Sequence, residues 1–193
     1  MHKYIPKVYY FIDKFDFKEL QTINNNMGII YRNYDEKIDE KTIILIKKYC
    51  IENKQKFYLS NNLKIAMKLK LDGLYIPSFN KNLNTKNYNY PCYFSIIGSA
   101  HNEIEIKIKE NQGCKLIFLA PAFPVKKKLN YLGIFRFNKL SQNSESKIIA
   151  LGGINENNIK KINLLNCYGF AGISWIKKNG LNKFRPFLNC LNR

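Results

Sequence analysis

Carboxylates are scarce in this chain. Its 193 residues include 14 Asp and Glu against 32 Lys and Arg, which gives a formal charge of +18. That sign permits nucleic acid, anionic membrane or phosphorylated ligands as partners. The basic residues are spread along the length, however, with Lys126, Lys127 and Lys128 the only tight run, and no nucleic-acid recognition motif accompanies them. Lys, Asn, Ile, Tyr and Phe are together the residues an AT-rich genome favours, so most of the charge is read as compositional bias. No specific nucleic-acid partner is expected.

Other absences narrow the class further. No apolar stretch approaches the roughly 18 residues of a membrane span, and the opening "MHKYIPKVYYFIDKF" carries charges through its apolar part, unlike a signal peptide. The expectation is a cytoplasmic protein with no membrane partner. The five cysteines (Cys50, Cys92, Cys114, Cys167, Cys190) lie far apart without a C-x-x-C pair, which argues against a disulfide framework and a zinc site. They read as reduced packing residues. Linkers and long low-complexity segments are also missing, and residues 1–193 are expected to form a single domain. A hydrophobic content of 46% with 14% aromatics is enough for a sizeable core.

What is present is a series of strand-like runs: "KVYYFID" (7–13), "GIIYRN" (28–33), "KFYLS" (56–60), "GLYIPS" (73–78), "YFSIIGS" (93–99), "KLIFLAPAF" (115–123), "KIIALGG" (147–153) and "GFAGISW" (169–175). Several are continuously apolar rather than alternating, as in parallel strands covered on both faces. Segments with helical spacing lie between them, among them 37–53, 61–70, 102–111, 155–165 and 180–192. Residues 79–92 lack that spacing and read as a loop crossover. Eight strands alternating with helices predict a short (β/α)8 barrel, with an open doubly wound sheet as the alternative.

The seventh and eighth runs share a grammar that favours the barrel. Gly152 and Gly153 end one, Gly172 and Ser174 lie near the end of the other, and barrels commonly place a phosphate site on these two loops. A competing reading is that these glycines simply make tight turns.

The ordered segments "DGLYIP", "IIGSAH", "LAPAFPVKKK", "ALGGINENN" and "GFAGIS" resemble the DGVHLG, GxSxHS, GPVFPTxTK, AIGGI and GVAVVS segments of the thiamine phosphate synthase and TenI-type thiazole tautomerase family. The resemblance runs from "YYFID" to "GISW". It implies a (β/α)8 barrel acting on the phosphorylated thiazole half of thiamine. Synthases of the family join an aminopyrimidine methyl diphosphate to thiazole phosphate, with magnesium neutralising the diphosphate that leaves.

By that resemblance Gly152, Gly153 and Ser174 match the phosphate site, Lys128 the lysine after the sixth strand and Ser99 the serine after the fifth. Arg32 matches the arginine of the diphosphate clamp, whose glutamine and lysine fall on Ile30 and Tyr34. The Asn-Asp metal pair falls on Ser60 and Asn61, and the second metal aspartate on Asn80, so both anionic ligands are neutral here. His101 matches the histidine with which tautomerases move a proton on the thiazole ring. The resulting expectation is a barrel that binds thiazole phosphate or thiamine phosphate, with tautomerisation by His101 its most concrete activity. Its alternatives are a working synthase and a ligand-binding barrel without catalysis. No cofactor is expected, magnesium only if synthase chemistry is retained, and a homo-oligomer is left open.

Overall fold

The computed structural model describes residues 4–21, 26–34, 39–125 and 130–172. Eight parallel strands close on themselves in sequence order: β1 (Val8–Ile12), β2 (Gly28–Tyr31), β3 (Lys56–Ser60), β4 (Gly73–Ile76), β5 (Ser95–Ala100), β6 (Leu116–Leu119), β7 (Lys147–Leu151) and β8 (Gly169–Gly172). Pairing of β1 with β8 in the register Val8↔Phe170 closes the barrel, so the open doubly wound alternative is excluded. Each strand predicted from an apolar run is present: β3 spans 56–60 as predicted, and β5 starts two residues later and runs one further, to Ala100.

Among the described residues the helices are α1 (Phe17–Gln21), α2 (Glu40–Glu52), α3 (Leu63–Lys68), α4 (Glu103–Asn111) and α5 (Gly133–Gln142). Three of them start on a side-chain cap. Asp39 accepts from the N–H groups of Lys41 and Thr42, Asn62 from that of Ile65, and Asn102 from that of Glu105. Such caps satisfy N–H groups that a first turn leaves orphaned, at about 1 kcal/mol each. The helix expected over 155–165 is instead a 3-10 turn, Ile159–Leu164, because asparagines take the backbone groups that would begin an α-helix. Between β4 and β5 a second 3-10 turn, Leu83–Asn87, stands in the predicted loop crossover. Segment 180–192 lies outside the described residues, while α1 and α5 were not among the predicted helices.

Strands wetted on neither face bury alternate residues in different places. Tyr9, Phe11, Ile30, Tyr58, Tyr75, Ile97, Leu116, Phe118, Ile149 and Ala171 fill the barrel interior, whereas Tyr10, Ile12, Ile29 and Leu59 face the helical layer. The interior is aromatic. The ring of Phe118 meets Tyr9, Phe11 and Tyr75 edge-on at centroid separations of 5.0, 5.7 and 5.8 Å, geometry that adds about 0.5–1.5 kcal/mol per pair beyond burial. Small residues make room for these rings: a Cβ at Gly28 would run into the ring of Tyr9.

Of the five cysteines, Cys50 and Cys114 are buried free thiols, and Cys92 and Cys167 are also unbridged. Burial pushes the Cys114 thiol up to about 12. Cys190 lies outside the described residues. No helix among the described residues is long and apolar enough to cross a membrane.

Candidate functional site

In a barrel of this kind side chains gather where the strands end, at the carboxyl mouth. The predicted site residues divide there into two groups.

The first group stands over β2 to β5. Arg32, half-buried just past β2, lays its guanidinium over the rings of Phe11 (5.0 Å) and Tyr34 (5.9 Å). The Tyr34 hydroxyl accepts from Ser60 Oγ at 3.3 Å, and its ring meets Phe79 edge-on at 5.5 Å. Below them Tyr75 and Ser99 are buried. Burial pushes the Tyr75 phenol up to about 12, against the opposing pull of the Ser99 hydroxyl and the Arg32 guanidinium beside it. Ile30 is buried in the barrel interior.

Asn61 and Asn80 are bonded to each other across this side. Asn80 Nδ2 donates to Asn61 Oδ1 at 2.6 Å, and Asn80 Oδ1 accepts from the N–H of Asn82 at 2.9 Å. Asn61 holds a left-handed backbone (φ 56°), which asparagine tolerates better than most residues, and its own N–H donates to Tyr75 O at 2.9 Å. From behind, a fully buried lysine fixes Asn80. Lys109 Nζ donates to Asn80 O at 2.7 Å and to Gln112 Oε1 at 2.9 Å, while Gln112 Nε2 donates to the carbonyls of Asn80 and Asn82. Burial lowers the Lys109 ammonium to about 8. Neither Lys109 nor Gln112 was singled out from the sequence. Helical spacing places 109 on the face of buried Ile106, but a lysine there reads as surface.

The second group stands over β5 to β7. Gly152 and Gly153 both have positive φ, 88° and 73°, which glycine adopts without strain. Their bare backbone also serves a purpose the sequence did not show. A Cβ on Gly153 would collide with the backbone of Phe123 and Pro124, so the turn lies flush against the loop after β6. Two bonds fasten it there, Ala122 N–H to Leu151 O at 2.8 Å and Phe123 N–H to Gly152 O at 3.1 Å. A valine at 153 would strike the β6 loop rather than project into open space. Gly172, half-buried, ends β8. Ser174, Lys126, Lys127 and Lys128 lie outside the described residues.

His101 belongs to this side. Its backbone N–H donates to Glu105 Oε2 at 2.7 Å, and its ring Nδ1 lies 2.7 Å from Ala120 O. A carbonyl only accepts, so Nδ1 carries a hydrogen and Nε2 is the lone-pair nitrogen of the neutral ring. The ring lines a cavity of about 520 Å³ with Asn102, Pro121, Asn130, Tyr131 and Arg136. Pro121 stands between that cavity and Gly152. Arg136, on α5, is a cation that the sequence reading missed because α5 itself was missed.

An eight-stranded parallel barrel with this mouth belongs to the class that assembles its binding residues on loops after the strands. Within that class the chain belongs to the thiamine monophosphate synthase family, whose model matches residues 26–176. This bears out the resemblance read from its ordered segments. A thiamine-phosphate synthase of Methanococcus vannielii is 31% identical over 134 residues, which are 68% of this chain and 64% of that protein. One from Prochlorococcus marinus is 31% identical over 143 residues, 72% of this chain and 36% of its own length. The chain thus matches less than two thirds of either relative. The solved thiamine phosphate pyrophosphorylase from Pyrococcus furiosus shares the fold, with a TM-score of 0.78 at 16% identity over 96% of this chain and 95% of that one.

Proposed function

We propose that this protein binds thiazole phosphate or thiamine phosphate in thiamine biosynthesis and moves a proton on the thiazole ring with His101, without a resident magnesium ion. The observation that carries the reading is the Asn80 Nδ2 to Asn61 Oδ1 hydrogen bond. The family resemblance puts magnesium carboxylates at these two positions. Neutral amides supply no charge to hold the ion, one oxygen is taken by the partner amide and the other by a backbone N–H. Among the described residues no cluster of three His, Cys, Asp or Glu side chains is available instead. The residues present do not fit a magnesium ion.

The phosphate is assigned to the loops after β7 and β8, where backbone groups of the glycine turn approach an anion. His101 Nε2 then accepts a proton from one ring atom of the thiazole and returns it to another, leaving the enzyme unchanged over a cycle. The carbonyl of Ala120 fixes the tautomer that makes Nε2 the acceptor. The second reading, a synthase, is favoured by the thiamine-phosphate synthases among its relatives and by the presence of Arg32.

The two readings separate in one assay. The purified chain is given thiazole phosphate in deuterated water, then aminopyrimidine methyl diphosphate with and without magnesium. The expected result is solvent deuterium in the thiazole, lost in His101→Ala while phosphate-ligand affinity stays within about twofold. Magnesium-dependent thiamine phosphate formation would establish the synthase. Binding with neither reaction would leave a ligand-binding barrel.

A further inference from the structure

The amino-terminal end of the barrel, opposite the mouth, has a constellation of its own. A cavity of about 190 Å³ opens there, with Ile5, Tyr9, Tyr58, Tyr93 and Leu116 among its walls and Lys56 and Lys115 beside them. The Tyr9 side chain is fully buried, and its hydroxyl is a buried polar group that makes no hydrogen bond. An unmet buried hydroxyl costs free energy in a native protein and calls for an account. The Tyr58 phenol stands beside it, and burial first, then that neighbour, pushes the Tyr9 phenol well above its ordinary value. Tyr9 therefore remains a neutral donor.

The rim is cationic. Of the residues that open the strands or immediately precede them, four are lysines (Lys7, Lys56, Lys115 and Lys147) and one, Asp72, is acidic. Asp72 pairs with Lys56 at 2.7 Å, and Lys147 lies over the Tyr168 ring at 4.3 Å. At the cavity itself this leaves the exposed Lys115 as the charge available to a ligand.

Size, apolar walls, one deep donor and one cation at the rim define a ligand. A dry apolar cavity of about 150 Å³ holds benzene, so this one holds a single six-membered ring with a small substituent at each end. We propose that the amino-terminal cavity is a second binding site, for a small aromatic carboxylate. Its ring lies among the tyrosines, an oxygen at its inner end accepts from the Tyr9 hydroxyl, and its carboxylate meets the Lys115 ammonium. The site shares no residue with the carboxyl mouth and does not depend on the function proposed for it.

The probe is 4-hydroxybenzoate, titrated into the full chain labelled with nitrogen-15. Saturable shifts are expected at the amides of Ser95, Leu116 and Tyr58, with those of Gly152 and Asn61 unmoved. Both Tyr9→Phe and Lys115→Met should raise Kd, each by about fivefold, the loss of one hydrogen bond or one exposed charge contact. The uncharged 4-hydroxybenzyl alcohol should bind the unaltered chain about as weakly as the acid binds Lys115→Met. Thermal melting confirms that the variants fold, and both changes are conservative enough to keep the barrel. Failure to saturate by about 10 mM, equal binding to both variants and the parent, or shifts confined to the mouth would each overturn the proposal. An ordered water bonded to Tyr9 that 4-hydroxybenzoate does not displace would do the same.

Discussion

On the β3–β4 side of the mouth the groups brought together are side chains, among them Arg32, Tyr34, Asn61 and Asn80. On the β6–β7 side they are mostly backbone, with the turn at Gly152–Gly153 flush against Phe123 and the carbonyl of Ala120 holding the His101 ring. The first side lacks the anionic ligands that the family resemblance implies, whereas the second keeps its glycine pair and histidine, although Val125 and Lys127 replace the threonines of the β6 loop. The difference follows from what each material can tolerate. Exchanging a carboxylate for an amide removes a charge at one stroke and leaves a side chain of nearly the same size, here one that bonds directly to its counterpart. A turn that lies flush against a neighbouring loop admits almost no residue but glycine, so it persists while packing persists.

The sharpest way to break that comparison is Gly153→Val. The variant must hold a branched residue at positive φ and push the β6 loop away, which should lower stability by about 3 kcal/mol or more and weaken phosphate-ligand binding with it. Urea unfolding reads the first effect and calorimetric titration the second. A loss below about 1 kcal/mol would mean that the loop does not lean on the turn.

Next in size is Lys109→Met. It leaves the Gln112 amide oxygen without its buried donor and frees Asn80 from one of its two holds, so a loss of about 1–3 kcal/mol at neutral pH is expected. Its pH dependence carries the sign. The folded chain holds this lysine near 8 rather than 10.5, so between those values the unfolded chain binds more protons and stability rises with pH. The parent should therefore gain on Lys109→Met as pH climbs above about 8, with the difference flat below it. Midpoints compared at each pH cancel the contributions of the tyrosines common to both.

The smallest effect belongs to the double change Asn61→Asp with Asn80→Asp. Two carboxylates replace a donor–acceptor pair 2.6 Å apart, so without a cation the chain should lose about 1 kcal/mol through like-charge repulsion. Millimolar magnesium should restore the melting temperature of the double variant and leave that of the parent unchanged. Equal responses in the two chains would show that charge at these positions is not what excludes the ion.

The strands were legible because each is a short apolar run covered on both faces, and the ordered segments after them carried the family. The helical layer was less so. Residues 133–142, "GIFRFNKLSQ", begin on a glycine without a side-chain cap and carry two phenylalanines, one buried and one exposed, so the usual start signal is absent. At the site, the positions of Asn61 and Asn80 were legible but their bond was not, since it joins two loops nineteen residues apart. Lys109 was illegible for a different reason: sequence reading assigns lysines to solvent, and only the carbonyl of Asn80 and the amide of Gln112 make its burial tolerable.

The ring of Phe118 touches Tyr9 toward one end of the barrel and Tyr75 toward the other. With Phe11 beside it, it acts as a stopper in the bore. Solvent and solutes have no axial passage, so each end fills and empties through its own opening. A compound that occupies the amino-terminal cavity leaves the way it came, and whatever binds at the opposite face enters and departs by a single doorway.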